Sequence, residues 1–191
     1  MRVISGQQGG LRLKPVPGKQ TRPTTDKVKE SIFNVIGPYF DGGQALDLFA
    51  GSGALGIEAL SRGMDRCVFI DAQHPAIQTI RQNLSHTNLS ERASVFKNDS
   101  LRGLQALISK GETFQLLLID PPYAKAELYI KEALAKIDAS GVLEEGGLIV
   151  CETASSSELA SFPTLQIIRT EQYGETKITI YERVNDYEAS C

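Results

Sequence analysis

The fold is decided by residues 44–56, QALDLFAGSGALG, in which an apolar run leads into closely spaced glycines. The apolar run predicts a buried strand at residues 45–49, and the residues after the glycines predict a helix. Gly51, Gly53 and Gly56 let the backbone turn tightly and approach a ligand closely. A strand, a glycine-rich loop and a helix in this order are typical of a parallel α/β sheet whose ligands bind at the strand ends.

The same alternation continues toward the C-terminus. Strands are predicted at residues 67–71, 94–98, 114–120 and 148–152, and helices at residues 54–62, 75–86, 101–109 and 128–137. This order implies parallel strands joined by right-handed crossovers. Residues 165–170 and 176–181 are also strand-like, but too few residues separate them for a crossover helix, so they should pair antiparallel. We therefore predict an α/β fold with a doubly wound, mostly parallel sheet and an antiparallel C-terminal hairpin.

The N-terminal part is rich in glycine and proline. Its apolar residues 3–4 and 11–13 predict a short hairpin. Residues 24–26 are Thr-Thr-Asp, which are good N-cap candidates for the helix that follows. We predict a basic N-terminal extension over residues 1–20 and a single domain over residues 21–191.

Charge is unevenly distributed along the chain, whose net charge is -3 at pH 7. Residues 1–30 hold seven Lys or Arg and two Asp or Glu, a net charge of +5, so the remaining 161 residues carry -8. A basic end on an acidic body favours contact with a polyanion at that end. The alternative is a solvated, partly disordered tail. The candidate phosphate-binding cations are Arg2, Arg12, Lys14, Lys19 and Arg22.

Composition narrows the class of protein. A chain of 191 residues with 41% hydrophobic residues suits one globular domain. It has neither an apolar run of about 20 residues nor a signal-peptide pattern. Three cysteines without CxxC spacing indicate neither a disulfide framework nor a metal site. We expect a cytoplasmic, monomeric protein without a metal.

Asp47 distinguishes the glycine loop from a dinucleotide-binding loop, whose GxGxxG pattern it also matches. A carboxylate at the strand end is poorly placed beside a pyrophosphate but well placed beside a cation, and S-adenosylmethionine carries a sulfonium and an ammonium group. Asp71 ends the second strand and could bind ribose hydroxyls. Asp99 follows the third strand and could accept from an adenine amino group, or cap the next helix. Phe49, Gly51, Ser52 and Gly53 complete the expected cofactor loop.

A second motif, DPPY at residues 120–123, follows another apolar strand, predicted to neighbour the Asp47 strand. Pro121 and Pro122 fix φ and remove two N–H donors, which leaves a loop rich in acceptors. Asp120 and the Pro121 carbonyl could both accept from one NH2 group, while Tyr123 offers a stacking face. The alternative is an ordinary strand-ending turn. Together the two motifs suggest methyl transfer to a base or amide nitrogen.

These motifs resemble those of class I S-adenosylmethionine-dependent amino-methyltransferases. More specifically, the chain resembles the RsmD family, bacterial small-subunit ribosomal RNA guanine-N2 methyltransferases. The further segments that carry this resemblance are ISG at 4–6, GLRL at 10–13, TRPT at 21–24, KVKESIFNVI at 27–36 and YGET at 173–176. The resemblance covers nearly the whole chain. It implies a seven-stranded sheet with an antiparallel last strand, and methylation of one guanine in 16S-type RNA, either as ribosomal RNA or within a small-subunit assembly intermediate.

The resemblance also implies residue roles. Asp47, Gly51 and Gly53 would line the cofactor, Asp71 would hold its ribose and Asp99 its adenine. The residues at 120–123 would hold the guanine. Arg22, Pro23 and Thr24 would lie near the methionine end of the cofactor and the RNA entrance. Asp71 departs from the Glu that is frequent in the family, and is shorter by one methylene.

Two other functions stay open at this point. A DNA adenine-N6 methyltransferase would use the same DPPY motif, although the chain has no sizeable target-recognition insert. An NAD-type oxidoreductase or nucleotide-binding module would use the glycine loop, but it would leave residues 120–123 without a role.

Overall fold

The computed structural model describes residues 1–18 and 24–185. The helices are α1 (Asp26–Ile36), α2 (Ala54–Ser61), α3 (His74–His86), α4 (Ser100–Ser109) and α5 (Ala126–Asp138). The strands are β1 (Gln44–Asp47), β2 (Arg66–Asp71), β3 (Ala93–Lys97), β4 (Phe114–Ile119), β5 (Leu143–Ala154), β6 (Leu165–Tyr173) and β7 (Thr176–Arg183). They form a seven-stranded sheet in the order β3-β2-β1-β4-β5-β7-β6. The predicted α/β fold is thus confirmed, including its antiparallel C-terminal hairpin.

The chain forms two compact units, residues 1–100 and residues 101–191. In the first unit β1, β2 and β3 are parallel, with Asp47 opposite Phe69 and Asp71 opposite Lys97. The three strands therefore end at the same edge of the sheet. The boundary predicted between an extension over 1–20 and a domain over 21–191 stays a prediction.

Helix α1 begins where the sequence predicts. The Thr25 hydroxyl is its N-cap and accepts from the Val28 amide at 3.2 Å. Ile32, Phe33 and Ile36 form its buried stripe. The Lys29 ammonium of this helix donates to the Arg2 carbonyl, so α1 contacts the N-terminal residues directly.

Residues 1–13 form the predicted hairpin, with an antiparallel bridge between Arg2 and Arg12. Its turn docks on α2, where the Ser61 carbonyl accepts from the Gln7 amide and the Ser61 hydroxyl accepts from the Gln8 amide. At Gly6 the backbone is so close to α2 that a Cβ would lie 1.8 Å from the Ser61 oxygen. The hairpin is therefore a docked element of the first unit rather than a loose tail.

A buried ionic cluster centred on Glu58 holds the first strand of this hairpin. The Glu58 carboxylate accepts from the amides of Ile4 and Ser5 at 2.9 and 3.1 Å. It also pairs with the Lys29 ammonium at 3.4 Å and the Arg62 guanidinium at 2.8 Å. Because all three charged side chains are at most 3% exposed, this cluster joins α1, α2 and the hairpin without contact with water.

In the second unit β4 and β5 are parallel, whereas β7 pairs antiparallel with both β5 and β6. Strand β5 starts five residues before the predicted 148–152, at Leu143. Gly146 has φ +74°, and the register shifts opposite Phe114–Leu116, so the early residues stay in the strand as a bulge. Sequence periodicity could not show this, because a bulge breaks the alternation of faces.

Within the described ranges, no helix combines the length and apolar character needed to cross a membrane. The cytoplasmic location stays a prediction.

Candidate functional site

Buried side chains hold the backbone of the glycine loop that joins β1 to α2. The Asp71 Oδ2 accepts from the Gly51 amide at 2.9 Å, and the Asp47 Oδ2 accepts from the Gly56 amide at 3.0 Å. The Asn83 amide group donates to the Ser52 carbonyl at 2.9 Å. The loop between β1 and α2 is therefore fixed at Gly51 and Ser52 by side chains from β2 and α3, and Asp47 of β1 fixes the first turn of α2.

The glycines of this loop serve different needs. Gly51 has φ +56° and a Cβ there would meet nothing within 4 Å, so the position needs glycine for its conformation and faces open space. Gly56 has no such φ, but a Cβ there would lie 2.3 Å from the Phe69 ring. Gly56 thus permits close packing of α2 on β2, while Gly51 leaves open space in the loop after β1.

Asp47 is 1% exposed, and this burial dominates its electrostatics. Burial raises the pKa of Asp47 to about 7, the hydrogen bond from Gly56 opposes this shift, and the negative charge of Asp71 adds to it. A carboxyl group that is poised between its neutral and charged forms would respond strongly to a cation bound beside it.

Apart from Thr24, the other predicted cofactor residues lie in the same loop or just at the ends of neighbouring strands. Asp71 is 8% exposed, and its Oδ1 accepts from the Gln73 amide at 2.9 Å. Asp99 is exposed and directly precedes α4. Phe49 and Ser52 are half-buried in the loop, whereas Thr24 is half-buried just before the α1 cap.

In the second unit, Asp120 follows the largely buried strand β4, in which Gln115 is the one polar residue, and the Asp120 side chain is half-buried. Pro121 is buried and Pro122 is exposed, with the Pro122 carbonyl accepting from the Lys125 amide at 3.3 Å. Tyr123 begins a short 3-10 helix that leads into α5. The backbone therefore carries these residues from a buried strand end into a compact turn.

Three predicted phosphate-binding cations lie on or next to the hairpin. Arg2, Arg12 and Lys14 are exposed, and the Arg2 guanidinium lies 3.5 Å from the Asp26 carboxylate. Lys19 and Arg22 lie outside the described residues. The basic character predicted for this end therefore lies on an ordered surface at these three positions.

Sequence reasoning missed Asn83 and Glu58. Asn83 is 1% exposed on α3, three positions after the buried Ile80. A polar residue on the apolar stripe of a helix was the available signal, since such a residue must find partners when it is buried. Glu58 gave the same signal within the apolar helix α2.

Three comparisons place the chain among known proteins. A family model described as conserved hypothetical protein 95 matches residues 1–182. The chain is 51% identical over 184 residues to YlbH of Bacillus subtilis, named as a candidate rRNA methyltransferase, with 96% of this chain and 99% of the relative covered. It is 32% identical over 185 residues to ribosomal RNA small subunit methyltransferase D of Escherichia coli, with coverages of 96% and 90%.

A solved Escherichia coli structure, yhhF, described as a candidate methyltransferase, agrees in fold. Its TM-score is 0.81 at 32% identity, and the match covers 96% of this chain and 98% of that one. The sequence and the fold thus agree over nearly the full length of both proteins. The chain belongs to the RsmD family, the family its motifs resemble.

Proposed function

We propose that this protein transfers a methyl group from S-adenosylmethionine to the exocyclic N2 of one guanine in small-subunit ribosomal RNA. The observation that carries the proposal is the near full-length similarity to the small-subunit enzyme of Escherichia coli. The presence of both the glycine loop and the DPPY motif supports it. The relatives' names favour RNA over duplex DNA, and an NAD-dependent reaction would leave Asp120 unused.

The glycine loop fits the methyl donor. S-adenosylmethionine supplies a methyl group bound to a sulfonium, which makes that carbon electrophilic. The open space at Gly51 admits a ligand, and the Asp47 charge favours a cation there. Although Asp71 accepts two backbone amides, each carboxylate oxygen keeps a further lone pair for a ribose hydroxyl. Asp99, exposed at the end of β3, is assigned to the adenine amino group.

The acceptor base is assigned to residues 120–123. Asp120 and the Pro121 carbonyl accept from the guanine amino group and orient its nitrogen, while Tyr123 stacks on the base. No strong general base is required, because the amino nitrogen can lose its proton after transfer. Most of the acceleration then comes from positioning. The guanine must leave its stack at a cost of a few kcal/mol.

The hairpin cations are assigned to the RNA backbone. Arg2, Arg12 and Lys14 are exposed on or beside one docked element, which suits contacts with successive phosphates. Lys19 and Arg22 extend the same basic stretch of sequence. We propose that a monomer binds either ribosomal RNA or a partly assembled small subunit.

The test supplies labelled S-adenosylmethionine with small-subunit ribosomal RNA, small subunits or duplex DNA, the RNA and subunits coming from a strain that lacks this protein. We expect N2-methylguanosine in the RNA or the subunits and no product in DNA. Methylated adenine in DNA, or NAD binding without any transfer, would contradict the proposal.

Asp120→Ala should lower turnover by about 10²-fold or more and leave S-adenosylhomocysteine affinity within a few-fold. Glu158→Ala, at an exposed carboxylate of the same unit, is the matched control.

A further inference from the structure

Asn83 connects the cofactor loop to the N-terminal segment. Its amide nitrogen donates to the Ser52 carbonyl at 2.9 Å and to the Lys14 carbonyl at 3.0 Å. Its amide oxygen accepts from the Lys14 amide at 2.8 Å. One buried side chain on α3 therefore binds the backbone of both segments at once.

A second contact joins the same two segments directly. The Ser52 hydroxyl donates to the Met1 sulfur at 3.6 Å, and the Met1 carbonyl accepts from the Leu13 amide at 3.0 Å. The open end of the hairpin thus lies against the middle of the glycine loop. Arg2, Arg12 and Lys14 lie within one residue of these contact points.

The chemistry of the contact requires an asparagine. Two carbonyl oxygens need donors and one amide needs an acceptor, and the Asn83 amide group supplies both. An aspartate would place a carboxylate oxygen against two carbonyl oxygens. Alanine would leave the Ser52 and Lys14 groups without their buried partner, which costs about 1–3 kcal/mol for each group left unsatisfied.

We infer that Asn83 is a positioning residue that couples cofactor binding to RNA binding, an inference that rests on the proposed function. A cofactor on the glycine loop further restrains Ser52 and, through Asn83, the Lys14 backbone. Phosphates on the hairpin further restrain the same contact from the other side. Whichever ligand binds first covers part of the ordering cost, so the second binds more tightly, and the effect is reciprocal.

The experiment measures the affinity for RNA with and without saturating S-adenosylhomocysteine. The probe is whichever of small-subunit ribosomal RNA or small subunits, from a strain lacking this protein, is methylated in the activity assay. We expect S-adenosylhomocysteine to tighten RNA binding by about 5-fold or more in the wild type. Asn83→Ala should reduce this factor to less than about 2-fold.

The matched control is Thr79→Val. Thr79 is also buried on α3, but its hydroxyl donates to the Pro75 carbonyl of its own helix. A purely structural loss at α3 would weaken both affinities and leave their ratio intact, so the coupling factor separates positioning from destabilisation. Thr79→Val should keep the wild-type factor.

A second pair of variants covers the case in which Asn83→Ala does not fold. Lys14→Ala and Lys14→Pro both remove the side-chain charge. Only proline also removes the backbone N–H that donates to the Asn83 amide oxygen. We expect coupling to persist in Lys14→Ala and to be lost in Lys14→Pro.

Equal RNA affinity with and without S-adenosylhomocysteine in a wild-type protein that methylates RNA would overturn the coupling alone. Coupling that survives in a folded Asn83→Ala, or in both Lys14 variants, would overturn the role of Asn83. An absence of any RNA methylation would instead refute the proposed function.

Discussion

At the residue scale, Asp47 is both a structural hydrogen-bond acceptor and a buried carboxyl group whose negative charge is disfavoured. It holds α2 through the Gly56 amide, and as a buried carboxyl group it prefers to be neutral unless a cation is nearby. Cys67, also buried, has its thiol pKa raised by desolvation, with the Asp47 charge adding to the shift. Negative charge is thus costly around Asp47 in the absence of a cationic ligand.

This cost predicts a pH dependence. Between pH 4 and pH 7 the folded protein keeps a proton on Asp47 that the unfolded chain has released, so the Asp47 contribution to stability falls as pH rises through this window. Asp47→Asn keeps an acceptor for Gly56 and removes the titration. We expect denaturant unfolding to show that the variant gains stability relative to the wild type from pH 5 to pH 8.

Cofactor binding should change in the opposite direction. A bound sulfonium favours the charged carboxylate, so calorimetry should show wild-type affinity for S-adenosylmethionine rising through pH 7, and a weaker, flatter profile in Asp47→Asn. Identical profiles for the two proteins would contradict the role given to Asp47.

Sequence spacing predicted the places of Asp47 and Asp71 but not what each touches in the folded chain. Both residues end strands, as expected, and both bind the loop backbone. The path of a glycine loop depends on side chains far along the chain, such as Asn83. No local pattern encodes those contacts.

At the scale of elements, the hairpin is a docked surface rather than a tail. Its residues 3–4 and 11–13 were identifiable from local apolar runs. Its docking depends on Glu58 and Ser61, more than 50 residues away. Local periodicity therefore predicted the hairpin but not where it binds.

The docked hairpin predicts a specific salt effect. Arg12→Gln removes one exposed cation, so the log–log salt slope of RNA binding should become shallower by about 0.7–0.9. Binding titrations at several salt concentrations measure this slope. The control is Arg66→Gln. Arg66 is an exposed cation at the start of β2, at the other end of that strand from Asp71. Equal slopes for Arg12→Gln and the wild type would show that Arg12 does not contact RNA phosphates.

At the scale of the whole molecule, stability depends on charges without access to water. Burial lowers the pKa of Lys29, and the Glu58 charge opposes this shift. Glu58→Gln would leave Lys29 and Arg62 buried without their carboxylate. We expect the free energy of unfolding to fall by about 3–5 kcal/mol in denaturant titrations.

The control is an exposed ion pair in which, as in Glu58–Arg62, a glutamate precedes its cation by four residues. Glu127 lies 2.6 Å from Lys131 on α5, and both side chains are about half exposed. Glu127→Gln should cost about 1 kcal/mol or less. Similar losses in the two variants would show that the Glu58 cluster is not a special support of the fold.

The contact at Gly6 restricts how this protein can vary. Any side chain there meets the Ser61 carbonyl, whereas at Gly10 a Cβ would have open space around it and only the φ of +88° disfavours a side chain. In a randomised library of the turn selected for folded protein, position 6 would return to glycine alone, while position 10 would favour glycine less strictly. The close approach of the hairpin turn to α2 therefore depends on one position that tolerates no side chain.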